Sequence, residues 1–169
     1  MKKLWCLSFS DFKTLALKNG WDEKVPNDIA IISINNGEHT CPADEYHICK
    51  DAENVLNLNF DDADPVSIGL NENTDVYTFN SYGEEITLEF FTNEMVDKAI
   101  KFIDNNKDKN FFIHCSAGIS RSQAFIKFIR NTYYDVDWKL NPNNPCICPN
   151  GYVYQQLTKK YREYDTNIT

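Results

Sequence analysis

The sequence predicts an α/β fold in which a single domain, residues 1–169, has a central, mainly parallel sheet flanked by helices. Short apolar runs of strand length alternate along the chain with segments in which apolar residues recur at helical spacing. With 169 residues, 42% of them hydrophobic, the chain has a suitable size to bury one core. No repeat or linker divides it, and no apolar run is long enough to span a membrane.

The first half of the chain is predicted to contain three strands and one helix. The helix covers residues 10–20, with Ser10 as its N-cap and Gly20 as its end. The strands are runs dominated by apolar and β-branched residues, in KLWCLSF (3–9), DIAIISI (28–34) and NVLNLNF (54–60).

The second half is predicted to begin with a β-hairpin in DVYTFNSYGEEITLEF (75–90), where two alternating runs flank a Ser-Tyr-Gly turn. Helical spacing then predicts three helices, at 92–105, 120–133 and about 151–164. A short buried strand, KNFFIHC (109–115), precedes the second of these helices, and a Pro/Asn-rich loop, NPNNPCICPNG (141–151), leads into the third.

The segment HCSAGISRS (114–122) joins that buried strand to the following helix. Its small residues, Ser116, Ala117 and Gly118, would let successive backbone amides turn inward around an anion. The helix N-terminus adds unpaired N–H groups and the positive end of the helix dipole. The segment therefore predicts a phosphate-binding loop.

The reactive side chains of this segment fit the same interpretation. Cys115 would lie at the floor of the loop, where the amides, the dipole and a guanidinium favour the nucleophilic thiolate. Arg121 offers a planar, permanently charged group that can bind two phosphoryl oxygens. Ser122 can donate its hydroxyl toward the cysteine sulfur, and His114 is expected to face away and bond the loop backbone. For an isolated cysteine, a purely structural role at a strand end would be the simpler interpretation.

These nine residues resemble the H-C-x-x-G-x-x-R-[ST] signature of the cysteine-based protein tyrosine phosphatases, and AGISRS is most similar to dual-specificity and small microbial or viral members. The resemblance implies a phosphatase-like fold, one phosphatase domain over 1–169, and hydrolysis of phosphotyrosine through a cysteinyl-phosphate intermediate. Phosphoserine and phosphothreonine are further candidate substrates, and neither a cofactor nor a metal is expected. The implied phosphate-binding residues are Ser116, Ala117, Gly118, Ile119, Ser120, Arg121 and Ser122.

The reaction also needs an acid that protonates the leaving oxygen. LNFDDADP (58–65), which ends the third predicted strand, resembles the acid loop of the family. We assign the acid to Asp62, and Asp61 remains the alternative; side chains alternate along an extended strand, so only one of the two can face the phosphate loop. Asp61 is then expected to bond the loop backbone and hold the shape of the loop.

The sequence departs from the family between the acid and the cysteine. Asp62 precedes Cys115 by 53 residues, a longer interval than is usual, and the hairpin at 75–90 accounts for the excess. An inserted hairpin there could be a lid or a substrate-selecting wall, or an extension of the sheet without a functional role. No segment matches the deep-pocket phosphotyrosine-recognition loop of the larger tyrosine-specific enzymes.

The charge is unevenly distributed. Residues 51–97 contain twelve acidic side chains and no Lys or Arg, whereas the rest of the chain contains 17 basic and 13 acidic residues. Such a surface would repel polyanions, so we expect a phosphorylated protein as the partner, with no nucleic acid and no membrane, and a monomer. The alternatives are an RNA 5′-triphosphatase, a phosphoinositide phosphatase, a rhodanese-like sulfurtransferase and a non-catalytic phosphoprotein-binding pseudophosphatase.

The remaining features bear on location and redox state. The segment MKKLWCLSFS is interpreted as a first strand and not as a signal peptide, which favours a cytoplasmic location. The cysteine pairs 41/49 and 146/148, with His39 and His47 nearby, lack C-x2-C spacing, so reduced thiols are expected in preference to a zinc site. The family resemblance leaves open a protective disulfide between Cys115 and a nearby cysteine.

Overall fold

A computed structural model describes residues 3–40, 46–133 and 147–166. Within these residues the chain is an α/β protein with a central parallel sheet and flanking helices. The strands are β1 (Leu4–Ser8), β2 (Ile29–Asn35), β3 (Val55–Asn59), β4 (Val76–Ser81), β5 (Glu84–Glu89) and β6 (Asn110–Cys115). The helices are α1 (Phe9–Lys18), α2 (Asn93–Asn106), α3 (Arg121–Thr132) and α4 (Gly151–Thr166), and a short 3-10 helix covers Val66–Ile68.

The central sheet has the strand order β1-β6-β2-β3, and all of its neighbouring strands are parallel. The register places Ser8 beside Cys115 and Ser33 beside His114. Because parallel strands end at the same edge of a sheet, the segments that follow β2, β3 and β6 meet there. This edge therefore brings the predicted phosphate loop and the predicted acid loop together.

The two faces of the sheet are covered by different helices. Alternation along β2 sends Ile32 into a core cluster with residues of α2, α3 and α4, and Ile31 into a second cluster with residues of α1. Phe125 of α3 and Phe12 of α1 are both fully buried, one in each cluster. Burial on both faces explains why the strand sequences are continuously apolar.

The start of α1 differs from the sequence prediction, and Ser10 as N-cap is wrong. The cap is Ser8, whose extended backbone (φ −72°, ψ 162°) ends β1 and whose Oγ accepts from the Asp11 N–H at 3.1 Å. Pairing with Cys115 keeps Ser8 in the strand, so the chain turns directly after it and Ser10 lies inside the first helical turn. The other predicted strands and helices lie within two residues of the observed bounds.

The β4–β5 hairpin forms a separate antiparallel sheet where the sequence predicted one. Its turn residues, Tyr82 and Gly83, both have positive φ, 53° and 85°, as a type I′ turn requires. No helix in the described parts of the chain combines the length and the apolar character needed to cross a bilayer.

Candidate active site

The segment between β6 and α3 forms a five-residue loop at the carboxyl edge of the sheet. Cys115 is the last residue of β6 and Arg121 the first of α3, so they lie at the two ends of the loop. Among the described residues, the amides of Gly118, Ile119 and Ser120 donate no hydrogen bond to the protein. Free amides beside a helix N-terminus are the donors that an anion uses.

Gly118 is required at its position in the loop. Its φ of +71° favours glycine, and a Cβ there would lie 2.7 Å from the carbonyl carbon and oxygen of Leu7. A second contact comes from the first residue of α1, since the Phe9 N–H donates to the Ser116 carbonyl at 3.1 Å. The end of β1 and the start of α1 therefore support the loop from behind.

The sulfur of Cys115 lies at the buried end of the loop, 3.1 Å from the Ser122 hydroxyl oxygen. The thiol of Cys6, on the neighbouring strand β1, has two possible acceptors for its single proton, the same oxygen at 3.2 Å and the Gly118 carbonyl at 3.3 Å. Burial raises the pKa of the Cys6 thiol to about 12, so Cys6 keeps its proton. When the Cys6 proton points to the Ser122 oxygen, the Ser122 hydroxyl can donate its own proton toward Cys115.

Arg121 is only 4% exposed, and the ends of β2 and β3 hold its guanidinium. Nη1 donates to the carbonyls of Asn35, at 3.1 Å, and Phe60, at 2.6 Å. Nη2 donates to Asn36 Oδ1 at 2.7 Å and to Ser116 Oγ at 3.1 Å. Its buried Nε–H finds no acceptor among the described residues. A buried donor without a partner is unfavourable, and an oxygen of a bound anion would satisfy it.

Asp61 holds the acid loop in place. Its carboxylate is buried and accepts from the amides of Gly37, at 3.2 Å, and Glu89, at 2.8 Å, and from the hydroxyl of Thr40. The Asp61 N–H also donates to the Glu89 carbonyl at 2.7 Å. Gly37 allows this approach, since a Cβ there would lie 2.9 Å from Asp61 Oδ2. Asp61 thus connects the segment after β2, the acid loop and the hairpin.

Asp62 is exposed and lies against the phosphate loop. Its Oδ1 accepts from the Ser120 hydroxyl at 2.7 Å and from the Asn150 side-chain amide at 2.8 Å. The structure therefore brings Asp62 to the loop that contains Cys115 and Arg121, and turns Asp61 away from it.

Sequence reasoning missed Asn150, which is hydrogen-bonded on both sides. Its backbone N–H donates to the Ser120 carbonyl at 3.2 Å, and its Oδ1 accepts from the Val153 N–H at 3.0 Å, which caps α4. The side-chain amide is thereby oriented with its NH₂ toward Asp62. Nothing in the sequence separates Asn150 from the other asparagines of its loop; residues 141–146 of that loop lie outside the described residues.

Asn36 was also missed, although a signal was available. It follows β2 directly, and its Oδ1 accepts from both Arg121 Nη2 and the Ser116 hydroxyl, the latter at 3.3 Å. A polar residue at the carboxyl end of a parallel strand is a candidate for a site at that edge. Asn36 is therefore a positioning residue for the guanidinium.

The prediction that His114 bonds the loop backbone is wrong. Its ring stacks on Phe12, with centroids 4.2 Å apart, and neither ring nitrogen has a partner among the described residues. Burial, with smaller contributions from the charges of His47 and Arg121, lowers the pKa of His114 to about 3. The reason is strand alternation, which turns His114 toward α1 and Cys115 toward α3.

The remaining loop residues lie between these contacts. Ala117 is exposed, and Ile119 is partly buried with its carbonyl accepting from the Cys148 N–H at 3.2 Å. All seven predicted loop residues thus lie in the loop or in the first turn of α3.

The cysteines of the described residues, Cys6, Cys49, Cys115 and Cys148, are free thiols. Cys41 and Cys146 lie outside those residues, so the pairs considered for zinc do too. No group of three or more His, Cys, Asp or Glu side chains within the described ranges could hold a metal ion. Cys6 shares a hydrogen-bond partner with Cys115, and a disulfide to Cys115 stays a prediction.

A scan against protein-family models finds no match to this chain, and a search of the curated proteins finds none either.

Proposed function

We propose that the chain is a cysteine-dependent phosphatase that hydrolyses phosphotyrosine in proteins, with a phosphatase-like fold in which the hairpin is an insertion. One observation supports this most: Cys115, Arg121 and Asp62 surround a single five-residue loop, although Asp62 is distant in sequence. Each of these groups contacts a different hydroxyl of the loop or of the turn that follows it. Together they supply a nucleophile, an anion-binding group and an acid.

In the first step, the Cys115 thiolate attacks phosphorus in line with the bond to the tyrosine oxygen. The S–P bond forms as the P–O bond breaks, and the phenolic oxygen leaves with the bonding pair and takes a proton from Asp62. Oδ1 of Asp62 already accepts two hydrogen bonds, and Oδ2 has no partner among the described residues, so Oδ2 carries that proton. The Arg121 Nε–H and the loop amides bind the equatorial oxygens.

In the second step, water attacks the cysteinyl phosphate. Asp62, now a carboxylate, accepts a proton from the water, and the S–P bond breaks to release inorganic phosphate. The Ser122 hydroxyl, 3.1 Å from the sulfur, stabilises the departing thiolate. A Cys6 proton directed at the Ser122 oxygen would favour this orientation of the hydroxyl.

Charge supports a protein substrate over a polyanion. The acid loop and the hairpin both belong to residues 51–97, which contain twelve acidic side chains and no Lys or Arg. Lysines from outside the segment pair with three of these side chains, and Asp61 is buried. The segment remains net negative, which disfavours an RNA 5′-triphosphate or a phosphoinositide. A non-catalytic role is not favoured, since candidates for the nucleophile, the anion-binding arginine and the acid all contact this loop or the turn after it. Phosphoserine and phosphothreonine are further candidate substrates.

The test is hydrolysis of an aryl phosphate by the wild-type chain and by two variants, Cys115→Ser and Arg121→Lys. Each variant should lose nearly all activity while keeping the circular dichroism spectrum of the wild type. Activity should survive EDTA and be blocked by vanadate, a phosphate mimic. If chelation abolished activity and added metal restored it, the cysteine mechanism would be wrong. Substrate trapping with Cys115→Ser is a second experiment, which identifies the class of substrate: phosphotyrosine proteins, RNA or lipid.

A further inference from the structure

The β4–β5 hairpin has one apolar face, on which Tyr77 is exposed and three further side chains are half-buried. Its register pairs Tyr77 with Leu88 and Phe79 with Ile86, so these four side chains share a face. The rings of Tyr77 and Phe79 stack, with centroids 5.7 Å apart. In the described part of the chain, none of the four packs against either core cluster. The face is thus partly covered within the chain, and Tyr77 is the side chain of the four that is open to a partner.

Exposed apolar side chains are concentrated in and beside this hairpin. The described residues expose nine large hydrophobic side chains, and five of them lie between positions 66 and 82. Three of the five belong to the hairpin, and of these Tyr77 lies on the apolar face, Val76 on the opposite face and Tyr82 in the turn. The five residues are Val66, Ile68, Val76, Tyr77 and Tyr82.

The charge of the hairpin restricts what can bind there. Asp75, Glu84 and Glu85 are exposed, and none of them forms an ion pair with a described residue. No Lys or Arg occurs anywhere between positions 51 and 97 to neutralise them. Charge complementarity therefore selects a partner that carries Lys or Arg beside apolar side chains.

The hairpin is also connected to the candidate active site. Glu89, the last residue of β5, exchanges two hydrogen bonds with Asp61, and the next residue, Asp62, contacts the phosphate loop. A strand of six residues is about 20 Å long. A polypeptide that lies along the hairpin can therefore extend to the loop at 116–120.

We propose that the hairpin is a docking surface for the substrate itself, namely an extended basic segment next to the phosphorylated residue. Its apolar side chains would cover the Tyr77/Phe79 face, and its Lys or Arg residues would pair with Glu84, which shares that face. Glu85, on the opposite face, adds to the negative charge at this end of the hairpin. This inference rests on the proposed function, since it names the kind of phosphoprotein that the site accepts.

The test compares two phosphotyrosine peptides that differ only in their flanking residues, one set basic and aliphatic, the other acidic. The measured quantity is the ratio of their kcat/KM values. The hairpin variants are Glu84→Lys with Glu85→Lys, and separately Tyr77→Ser with Phe79→Ser. The matched control is Asp22→Lys with Glu23→Lys, which makes the same charge change near Val55, at the opposite edge of the sheet.

At low ionic strength, the wild type and the control should favour the basic peptide by about fivefold or more, and salt should reduce this preference. The Glu84→Lys/Glu85→Lys variant should abolish or reverse the preference. The Tyr77→Ser/Phe79→Ser variant should lower kcat/KM for the same basic peptide, whose flanking residues are also aliphatic. The charge variant changes only exposed side chains, so it serves as a test even if the apolar variant fails to fold.

Two other outcomes would overturn the inference. If the wild type hydrolyses a small aryl phosphate but shows the same peptide ratio as both hairpin variants, the docking surface is wrong and the proposed function stands. If sedimentation shows a dimer that Tyr77→Ser dissociates, a second copy of the chain covers the face instead. Absence of aryl phosphate hydrolysis by the wild type would contradict the proposed function itself.

Discussion

The adjacent aspartates of the acid loop should respond in opposite ways to the same chemical change. Asp61 is buried and its carboxylate accepts three hydrogen bonds, whereas Asp62 is exposed and accepts two on Oδ1 alone. Replacing each by asparagine keeps the shape and removes the charge and the proton. We expect Asp61→Asn to lower stability and Asp62→Asn to lower activity.

The stability change can be worked out from the contacts of Asp61. An asparagine keeps one acceptor oxygen for Gly37 and Thr40, but its NH₂ then faces the Glu89 N–H, which donated at 2.8 Å. A charge-assisted hydrogen bond is lost and a donor is left unpaired, which together cost about 2–4 kcal/mol. For a chain of this length that corresponds to a melting temperature lower by about 4–16 °C.

The activity change follows from the proton of Asp62. Asp62→Asn can still accept from Ser120 and Asn150, so its free energy of unfolding should stay within about 0.5 kcal/mol of the wild type. Turnover of a phosphotyrosine peptide should fall by about 10²-fold or more, because the leaving oxygen is no longer protonated. An aryl phosphate whose leaving group needs no proton should be affected much less.

The assay combines urea unfolding of both variants with kcat for the two substrates. If Asp61→Asn shows the dependence on the leaving group and Asp62→Asn does not, the acid is Asp61 and the assignment moves by one residue. If Asp61→Asn unfolds at the same urea concentration as the wild type, the description of Asp61 as a structural clamp is incorrect.

Three further predictions concern the surroundings of the nucleophile. Gly118→Ala should lower aryl phosphate turnover by about 10-fold or more, because the Cβ would meet the Leu7 carbonyl and displace the loop. The affinity for vanadate should fall in parallel, and an unchanged affinity would contradict the argument. Asn36→Ala should raise KM for an aryl phosphate by about 5-fold or more, because the Arg121 guanidinium loses one of its four acceptors, whereas Asn36→Asp should retain it; equal effects of the two variants would count against a positioning role. The pKa of His114 is lowered to about 3 in the folded chain, so between pH 6.5 and 3 the unfolded chain binds one more proton than the folded chain. The free energy of unfolding therefore decreases as the pH is lowered, by at most about 1.4 kcal/mol per pH unit. His114→Phe should show a shallower loss between pH 6.5 and 4 in urea unfolding, and an unchanged slope would show that His114 is not the group responsible.

The order of strands and helices could be predicted because periodicity and turn residues are local signals. The apolar runs of β2 and β6 identify buried parallel strands, and the Ser-Tyr-Gly turn identifies the hairpin. The position of Asp62 beside the loop at 116–120 also follows from the predicted parallel sheet, because β3 and β6 end at the same edge of that sheet.

Contacts that depend on tertiary packing could not be predicted in the same way. Ser8 and Ser10 are both suitable N-cap residues, and the pairing of β1 with β6 determines that Ser8 is the one that caps α1. Cys6 contacts Ser122 because β1 neighbours β6, a strand order that the sequence does not specify. Asn150 reaches Asp62 from a segment 88 residues away.

The central claim is that Cys115 forms a covalent bond to phosphorus during turnover. The direct measurement is rapid acid quenching of the Ser122→Ala chain with an aryl phosphate, followed by peptide mass spectrometry. Without the hydroxyl 3.1 Å from the sulfur, breakdown of the intermediate should slow and the cysteinyl phosphate should accumulate. We predict one phosphoryl group, located on Cys115; a phosphoryl group on another residue, or continued turnover after Cys115→Ser, would contradict the mechanism.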